Sequence, residues 1–307
     1  MENPDLEIFL LTPEQFPSLL REINDPPKKL WLLGRPFWLD EDPEKIKFLC
    51  VVGSRKYSEY GRRACESLIA DLAEYFPDKR CPVVVVSGLA LGIDAVAHRA
   101  ALSAGLRTIA FPGSGLQKDF IYPPSHRNLA REIIASGGAL LSEEDPDACA
   151  APWMFPKRNR LMAGMSHAVL IVEAEKGSGT LITSRRATDY NRDVLTIPGS
   201  IFSSNSYGPH MLIRDGAVPI TCSEDILEVF GLLKDSEAAE KTNIPVQVTL
   251  DLPASEEQKI ADTLQIPQTI DQIIQQTNLP AYIVRATLSL MEINGLIKKV
   301  AGIFYKK

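Results

Sequence analysis

The stretch FPKRNRLMAGMSHAVLIVEAEKGSGTLIT (residues 155–183) decides the fold. Its first six residues hold an aromatic ring and three cations, Lys157, Arg158 and Arg160. Its centre, HAVLIVEA, is an apolar, β-branched run of strand length. Its end, Gly177-Ser178-Gly179-Thr180, is a small-residue loop leading into a new helical segment. A helix, a buried strand, a glycine loop and another helix are the repeating unit of a parallel α/β sheet.

The same alternation runs outward on both sides. KFLCVVGS (47–54), PVVVVSG (82–88), LRTIAFPG (106–113) and ALLSE (139–143) read as buried strands. SEYGRRACESLIADLAEYF (58–76), GIDAVAHRAALSAG (92–105) and SHRNLAREIIASGG (125–138) read as the helices between them. The pattern continues to about residue 220. It predicts an α/β fold, an extended Rossmann-like, doubly wound, mostly parallel sheet, over residues 46–230. Residues 1–45 read as a short lead-in, and residues 231–255, polar and proline-containing, as a linker. Residues 256–307 read as three helices followed by a hairpin, LIKKV and IFYKK, the outline of a small winged-helix domain. Residues 269–307 carry a net charge of +3, mostly on the hairpin. That charge fits contact with DNA or, equally, a solvated rim on a protein-interaction module.

The 307 residues, 45% hydrophobic and 23% charged, have the composition of a globular protein whose core requires neither disulfide nor metal. The five cysteines contain no C-x-x-C pair, which fits reduced thiols in the cytoplasm. No signal peptide or membrane-spanning run is read, so no membrane partner is expected. The net charge of −6 weighs mildly against a nucleic-acid partner, although phosphate binding needs only a local basic patch.

Four strand ends run into small-residue loops: Gly53-Ser54-Arg55, Gly88 to Gly92, Gly113-Ser114-Gly115, and Gly177-Ser178-Gly179-Thr180. In a doubly wound sheet these lie on one edge, where backbone N–H groups at helix starts favour anions. There is no G-x-x-x-x-G-K-[ST], no G-x-G-x-x-G after the first strand, no H-E-x-x-H and no G-x-S-x-G. No cofactor, metal site or catalytic residue is therefore assigned. Phe155, Lys157, Arg158, Asn159 and Arg160 instead suggest base stacking beside phosphate contacts, the physics of sequence-tolerant single-strand binding. The competing reading buries Phe155 in the core and pairs the arginines with Glu173 or Glu175.

The blocks VVGSRKYSEYG, VSGLALGIDAVAH, TIAFPGSGLQKDFIYP, FPKRNRLMAGMSHAVLIVEA, GSGTLIT and IPGS, in this order and spacing, resemble the DNA processing protein A family (DprA, also called Smf). The resemblance covers about residues 30–220, and the C-terminal outline is similar to the winged helix that many members carry. It implies a single-stranded DNA binder that dimerises through its Rossmann-like domain and loads the RecA recombinase onto incoming DNA in natural transformation, without hydrolysing nucleotide. Carried over by motif, it implies that Arg55 holds a phosphate, that residues 155–160 line the groove, and that Gly177 to Thr180 offer backbone donors. One block departs: Tyr122-Pro123-Pro124-Ser125-His126 has histidine where the family usually has asparagine. The alternative is an enzyme similar to the lysine-decarboxylase-like phosphoribohydrolases, or a nucleotide sensor. Those enzymes follow their glycine loop with glutamates, whereas Leu181, Ile182 and Thr183 stand here.

Overall fold

Apolar runs without polar interruption set the centre of the molecule, because a parallel strand is buried on both faces. A computed structural model describes residues 7–42, 45–76, 81–233, 254–264, 266–277, 279–293, 296–300 and 303–306. Its strands and helices fall into two units, Met1–Lys234 and Asp235–Lys307.

In the first unit the chain runs β1 (Ile8–Leu11), α1 (Ser18–Arg21), β2 (Leu30–Gly34), β3 (Lys47–Val52), α2 (Glu59–Glu74), β4 (Val83–Ser87) and α3 (Ile93–Ser103). It continues through β5 (Thr108–Ala110), α4 (Arg127–Ala135), β6 (Ala139–Ser142), α5 (Met154–Met165), β7 (Ala168–Ile171) and α6 (Thr180–Asp189). It closes with β8 (Asp193–Thr196), α7 (Tyr207–Arg214), β9 (Val218–Pro219) and α8 (Ser223–Val229). The strands form one sheet in the order β1-β2-β6-β5-β4-β3-β7-β8-β9. The run from β6 to β9 is parallel, and β2 and β1 add antiparallel pairs at the β6 edge.

This order carries the functional consequence. From β3 the chain builds outward through β4, β5 and β6, then returns to the other side of β3 and builds outward through β7, β8 and β9. The reversal places a topological switch point between β3 and β7, where neighbouring loops diverge and leave a crevice.

The two faces of the sheet separate by residue parity. Phe48, Cys50 and Val52 of β3 join the core beneath α5 and α6, with Leu161, Met162 and Leu181. Leu49 and Val51 join the opposite core with Leu68, Ile69 and Leu72 of α2 and Ile93 and Val96 of α3. That is the two-residue period of a strand, with helices packed on both sides. Each such side chain contributes roughly 1.5–3 kcal/mol relative to exposure, so the apolar run itself holds β3 at the sheet centre.

Residues 1–45, read as a lead-in, supply the two antiparallel strands β1 and β2, and Leu20 and Ile23 enter the core. Their prolines and short lengths obscured the strand pattern. Most of the segment read as a linker, 234–253, lies outside the described residues.

The second unit contains α9 (Ala254–Thr263), β10 (Gln268–Thr269), α10 (Ile270–Thr277), α11 (Ala281–Ile293), β11 (Ile297–Val300) and β12 (Ile303–Lys306). Ile260, Ile273, Val284, Leu288, Ile297 and Phe304 form its own core. The expected hairpin is β11–β12, and the short β10 extends it into a sheet of order β10-β12-β11. This is a winged-helix arrangement. No helix among the described residues is long and apolar enough to cross a membrane.

Candidate nucleic-acid interface

A cleft of about 570 Å³ opens at the switch point. It is lined by the loop after β3, the N-terminal part of α5 and the loop after β7. Gly53, Ser54, Arg55, Phe155, Arg158, Asn159 and all four residues Gly177 to Thr180 lie along it. The two loops are tied across the switch point, because the Thr180 hydroxyl donates to the Gly53 carbonyl at 3.2 Å.

The loop after β7 starts α6, which leaves backbone N–H groups at its head. Ser178 N–H donates to the Glu175 carbonyl, and Thr180 N–H to the Ser178 hydroxyl at 3.2 Å. Gly177 adopts φ +79°, a left-handed conformation that other residues rarely adopt. A side chain built at Gly177 or Gly179 would meet no protein atom within 4 Å. Both glycines therefore leave room for a ligand to reach the backbone.

The cations fall into two groups. Arg55, Lys56 and Lys176 line the cleft, and none has a carboxylate within ion-pair distance among the described residues. The Arg55 guanidinium lies 5.6 Å from the centroid of the Phe155 ring. Phe155 is half-buried against Tyr122, centroids 5.6 Å apart, and neither ring is in the core.

Lys157 and Arg160, expected with Phe155, Arg158 and Asn159 along one groove, are not among the residues that line the cleft. Lys157 Nζ lies 2.7 Å from Glu144 and 3.4 Å from Glu143, on the face of α5 turned from the cleft. Arg160 grips Glu143 through both carboxylate oxygens, at 2.7 and 2.6 Å, and also donates to the Asp25 carbonyl. Helical periodicity is the reason. Six consecutive residues at the start of a helix point around its axis, so they cannot share one groove. The pairing is also with Glu143, not with Glu173 or Glu175.

Arg158 reaches the cleft wall but is only 7% exposed. It donates to the carbonyls of Gly88 and Phe111, at the ends of β4 and β5. Asp94 is buried beside it; burial raises the Asp94 pKa, opposed by the Arg158 charge and by the N–H groups of Ala90 and Gly88. Arg158 is thus an internal clamp more than a free phosphate ligand. Gly88 fits against this pair, where a side chain would collide with both Arg158 and Asp94. Gly92, at φ +93°, has no space for a side chain against the Ser54 carbonyl, and a side chain at Gly53 would come within 2.8 Å of Ile93. These three glycines shape the cleft by close packing.

Two carboxylates near the cleft accept hydrogen bonds from neighbouring side chains, Glu173 in a buried position and Glu175 in an exposed one. Glu173 accepts from Ser58 N–H at 2.8 Å, from the Ser58 hydroxyl at 2.5 Å and from Asn205 at 3.2 Å. Ser58 in turn caps α2 by accepting from Gly61 N–H, so the Glu173 charge sits favourably at a helix start. Glu175 lines the cleft and lies 3.3 Å from the Ser204 hydroxyl, which donates to it. His126, in place of the family's asparagine, is buried with Nδ1 2.7 Å from the Leu89 carbonyl. It supports the loop after β4 from behind. Lys56 and Lys176 were missed as candidates, although each directly adjoins a loop that was singled out.

Residues 7–231 match the family described as DNA recombination-mediator protein A, and residues 247–302 match the DprA winged helix domain. Protein Smf of Escherichia coli (strain K12) is 36% identical over 98% of this chain and 78% of that protein. The DNA processing protein DprA of Streptococcus pneumoniae is 39% identical over 72% of this chain and 73% of that protein. The X-ray structure of DNA processing protein A from Streptococcus pneumoniae superposes with a TM-score of 0.64 at 37% identity, covering 73% of this chain and 74% of that one. A structure of DNA processing protein A from Helicobacter pylori, concerned with its single-stranded DNA binding mode, gives 0.62 at 29% identity, covering 73% and 95%. With the sheet order, the winged helix and these matches in agreement, the chain belongs to the DNA recombination-mediator protein A family.

Proposed function

We propose that the switch-point cleft binds single-stranded DNA and that the protein acts without catalysis, as a mediator that protects incoming strands and loads the RecA recombinase in natural transformation. One observation carries this reading. Among the described residues, Arg55, Lys56 and Lys176 have no carboxylate within ion-pair distance, and they stand around a cleft whose wall carries the Phe155 ring. Unpaired cations beside a stacking surface suit a flexible, charged strand with accessible bases. The Helicobacter pylori relative, reported for its single-stranded DNA binding, supports the same assignment. Arg55 and Lys56 take phosphates, Gly177 and Gly179 supply backbone donors, and Phe155 stacks on a base. Two nearby carboxylates support a non-catalytic role: Asp94 is buried against Arg158, and Glu173 is committed to Ser58 and Asn205, which leaves Glu175 as the exposed acid on the lining. The mediator works in the cytoplasm as a homodimer.

A labelled oligo-dT titrated by fluorescence anisotropy over a salt series tests the binding. Single-strand binding should weaken with salt, by about 0.7 in log–log slope per phosphate contacted. No binding at low salt, with release of base from a nucleoside monophosphate, would establish the enzyme reading in its place. Nucleation of RecA filaments on DNA carrying this protein tests the loading step.

A further inference from the structure

Phe202 is 94% exposed and its neighbour Ile201 78%. Large apolar side chains held so far into solvent invite a partner. They do not sit on a loose loop tip. Their loop, between β8 and α7, is held by Ser203 N–H to the Ser200 carbonyl, by Phe202 N–H to the Ser200 hydroxyl at 3.2 Å, and by His210 to the Gly199 carbonyl at 3.0 Å.

This loop borders the cleft. Ser204 meets Glu175, and the Asn205 amide donates to the Lys56 carbonyl at 3.1 Å; both partners line the cleft. Further along, Lys176 Nζ lies 5.9 Å from the centroid of the exposed Tyr207 ring. The exposed Tyr60 ring is fixed to the same loop, its hydroxyl donating to the Pro198 carbonyl at 2.6 Å. Aromatic rings thus continue outward from the cleft on the β8 side, starting at a cleft lysine.

We propose that this rim is a second stacking platform for single-stranded DNA: the strand leaves the cleft past Lys176, and its bases stack on Tyr207 and Phe202. The inference rests on the cleft being the single-strand site. Its chemistry is that of a sequence-independent strand track, a cation for the phosphate beside rings that accept any base. Because the loop backbone that carries Phe202 is already held in place, little backbone entropy is lost on stacking.

The test compares wild type with the Phe202→Ala, Tyr207→Ala double variant on oligo-dT of about 6 and about 20 nucleotides, lengths bracketing a single-fold site size. The short oligonucleotide should bind both proteins equally. The long one should bind the variant about thirtyfold more weakly, the expected order for two lost stacks at about 1 kcal/mol each. Tyr207→Phe should retain wild-type affinity, and Phe202→Ala alone, which removes a ring almost fully in solvent, should show part of the loss without changing the melting temperature. Equal binding of the long oligonucleotide by wild type and variant would overturn the platform while leaving the cleft intact. An equal loss at both lengths would also overturn it, as would a change in sedimentation coefficient, which would make the rim a contact between copies of this chain. Failure of wild type to bind either length would overturn the cleft reading itself.

Discussion

The Arg55 guanidinium sits 5.6 Å from the centroid of the Phe155 ring, although the two residues are a hundred positions apart in the chain. One follows β3 and the other starts the helix that precedes β7. The strand order makes β3 and β7 neighbours, so an arginine and an aromatic ring a hundred residues apart share one wall of the cleft.

Arg55→Ala should remove this pair without disturbing the core. Single-strand affinity should fall at least tenfold, since a hydrogen bond to a charged group contributes about 1.5–3 kcal/mol. The salt slope should fall by about 0.7. Anisotropy titrations over a salt series check both, and an unchanged slope would remove Arg55 from the phosphate path.

Lys157→Ala should behave oppositely. Its ammonium is directed to Glu143 and Glu144, not to the cleft, so affinity should stay within about twofold of wild type. Arg160→Ala leaves the Glu143 carboxylate with less compensation in a largely buried position. It should lower stability by about 1–3 kcal/mol, read by urea denaturation.

Arg158→Ala should be the most damaging of these changes. It strands the buried Asp94 carboxylate and two carbonyls, those of Gly88 and Phe111. Leaving two buried carbonyls unpaired and a buried carboxylate without its nearby positive charge costs on the order of 3 kcal/mol. Combining it with Asp94→Ala should cost less than the sum of the single losses. Strict additivity in that denaturation cycle would show that the two side chains are not coupled.

Gly179→Ala should fold normally, because its added methyl meets no protein atom within 4 Å. The methyl would stand where the proposed strand approaches the backbone, so DNA affinity should drop with no change in melting temperature. Retained affinity would exclude close backbone approach at this glycine.

Two histidines set the acid limit. Burial, with Arg158 and His126 nearby, pushes His98 down to about 3. Burial, with Lys47 and Arg192, pushes His167 down to about 4. Both folded values lie below the unfolded value of about 6.5, so the unfolded chain binds these protons first. Their contribution to stability is full above about pH 6.5 and is lost as pH falls toward 4 and then 3. At about pH 4 the loss from His98 alone is on the order of 3 kcal/mol. His167 Nδ1 accepts from Phe48 N–H at 3.0 Å, and protonation there breaks that bond. His167→Asn, which keeps an acceptor near that position, should flatten the melting temperature against pH; an unchanged curve would exclude His167 as a contributor.

The sequence by itself determined the strand–helix alternation and the winged-helix outline. Both rest on local signals: apolar runs for strands buried on two faces, and helical spacing between them. It also located the glycine loops, since few residues other than glycine accept φ +79° or +93° without strain. The strands β1 and β2 escaped notice because they are short and set among prolines, and because β2, which carries β1 on its outer edge, is held by pairing to β6, more than a hundred residues away. Only the tertiary structure sorted the cations. Arg55, Lys157, Arg158 and Arg160 carry equal charge in the sequence. The turn of α5 and the positions of Glu143 and Asp94 then leave the first open to the cleft, pair the second and fourth, and bury the third. Charge is a property of the residue, whereas its availability depends on what the fold places within a few ångströms of it.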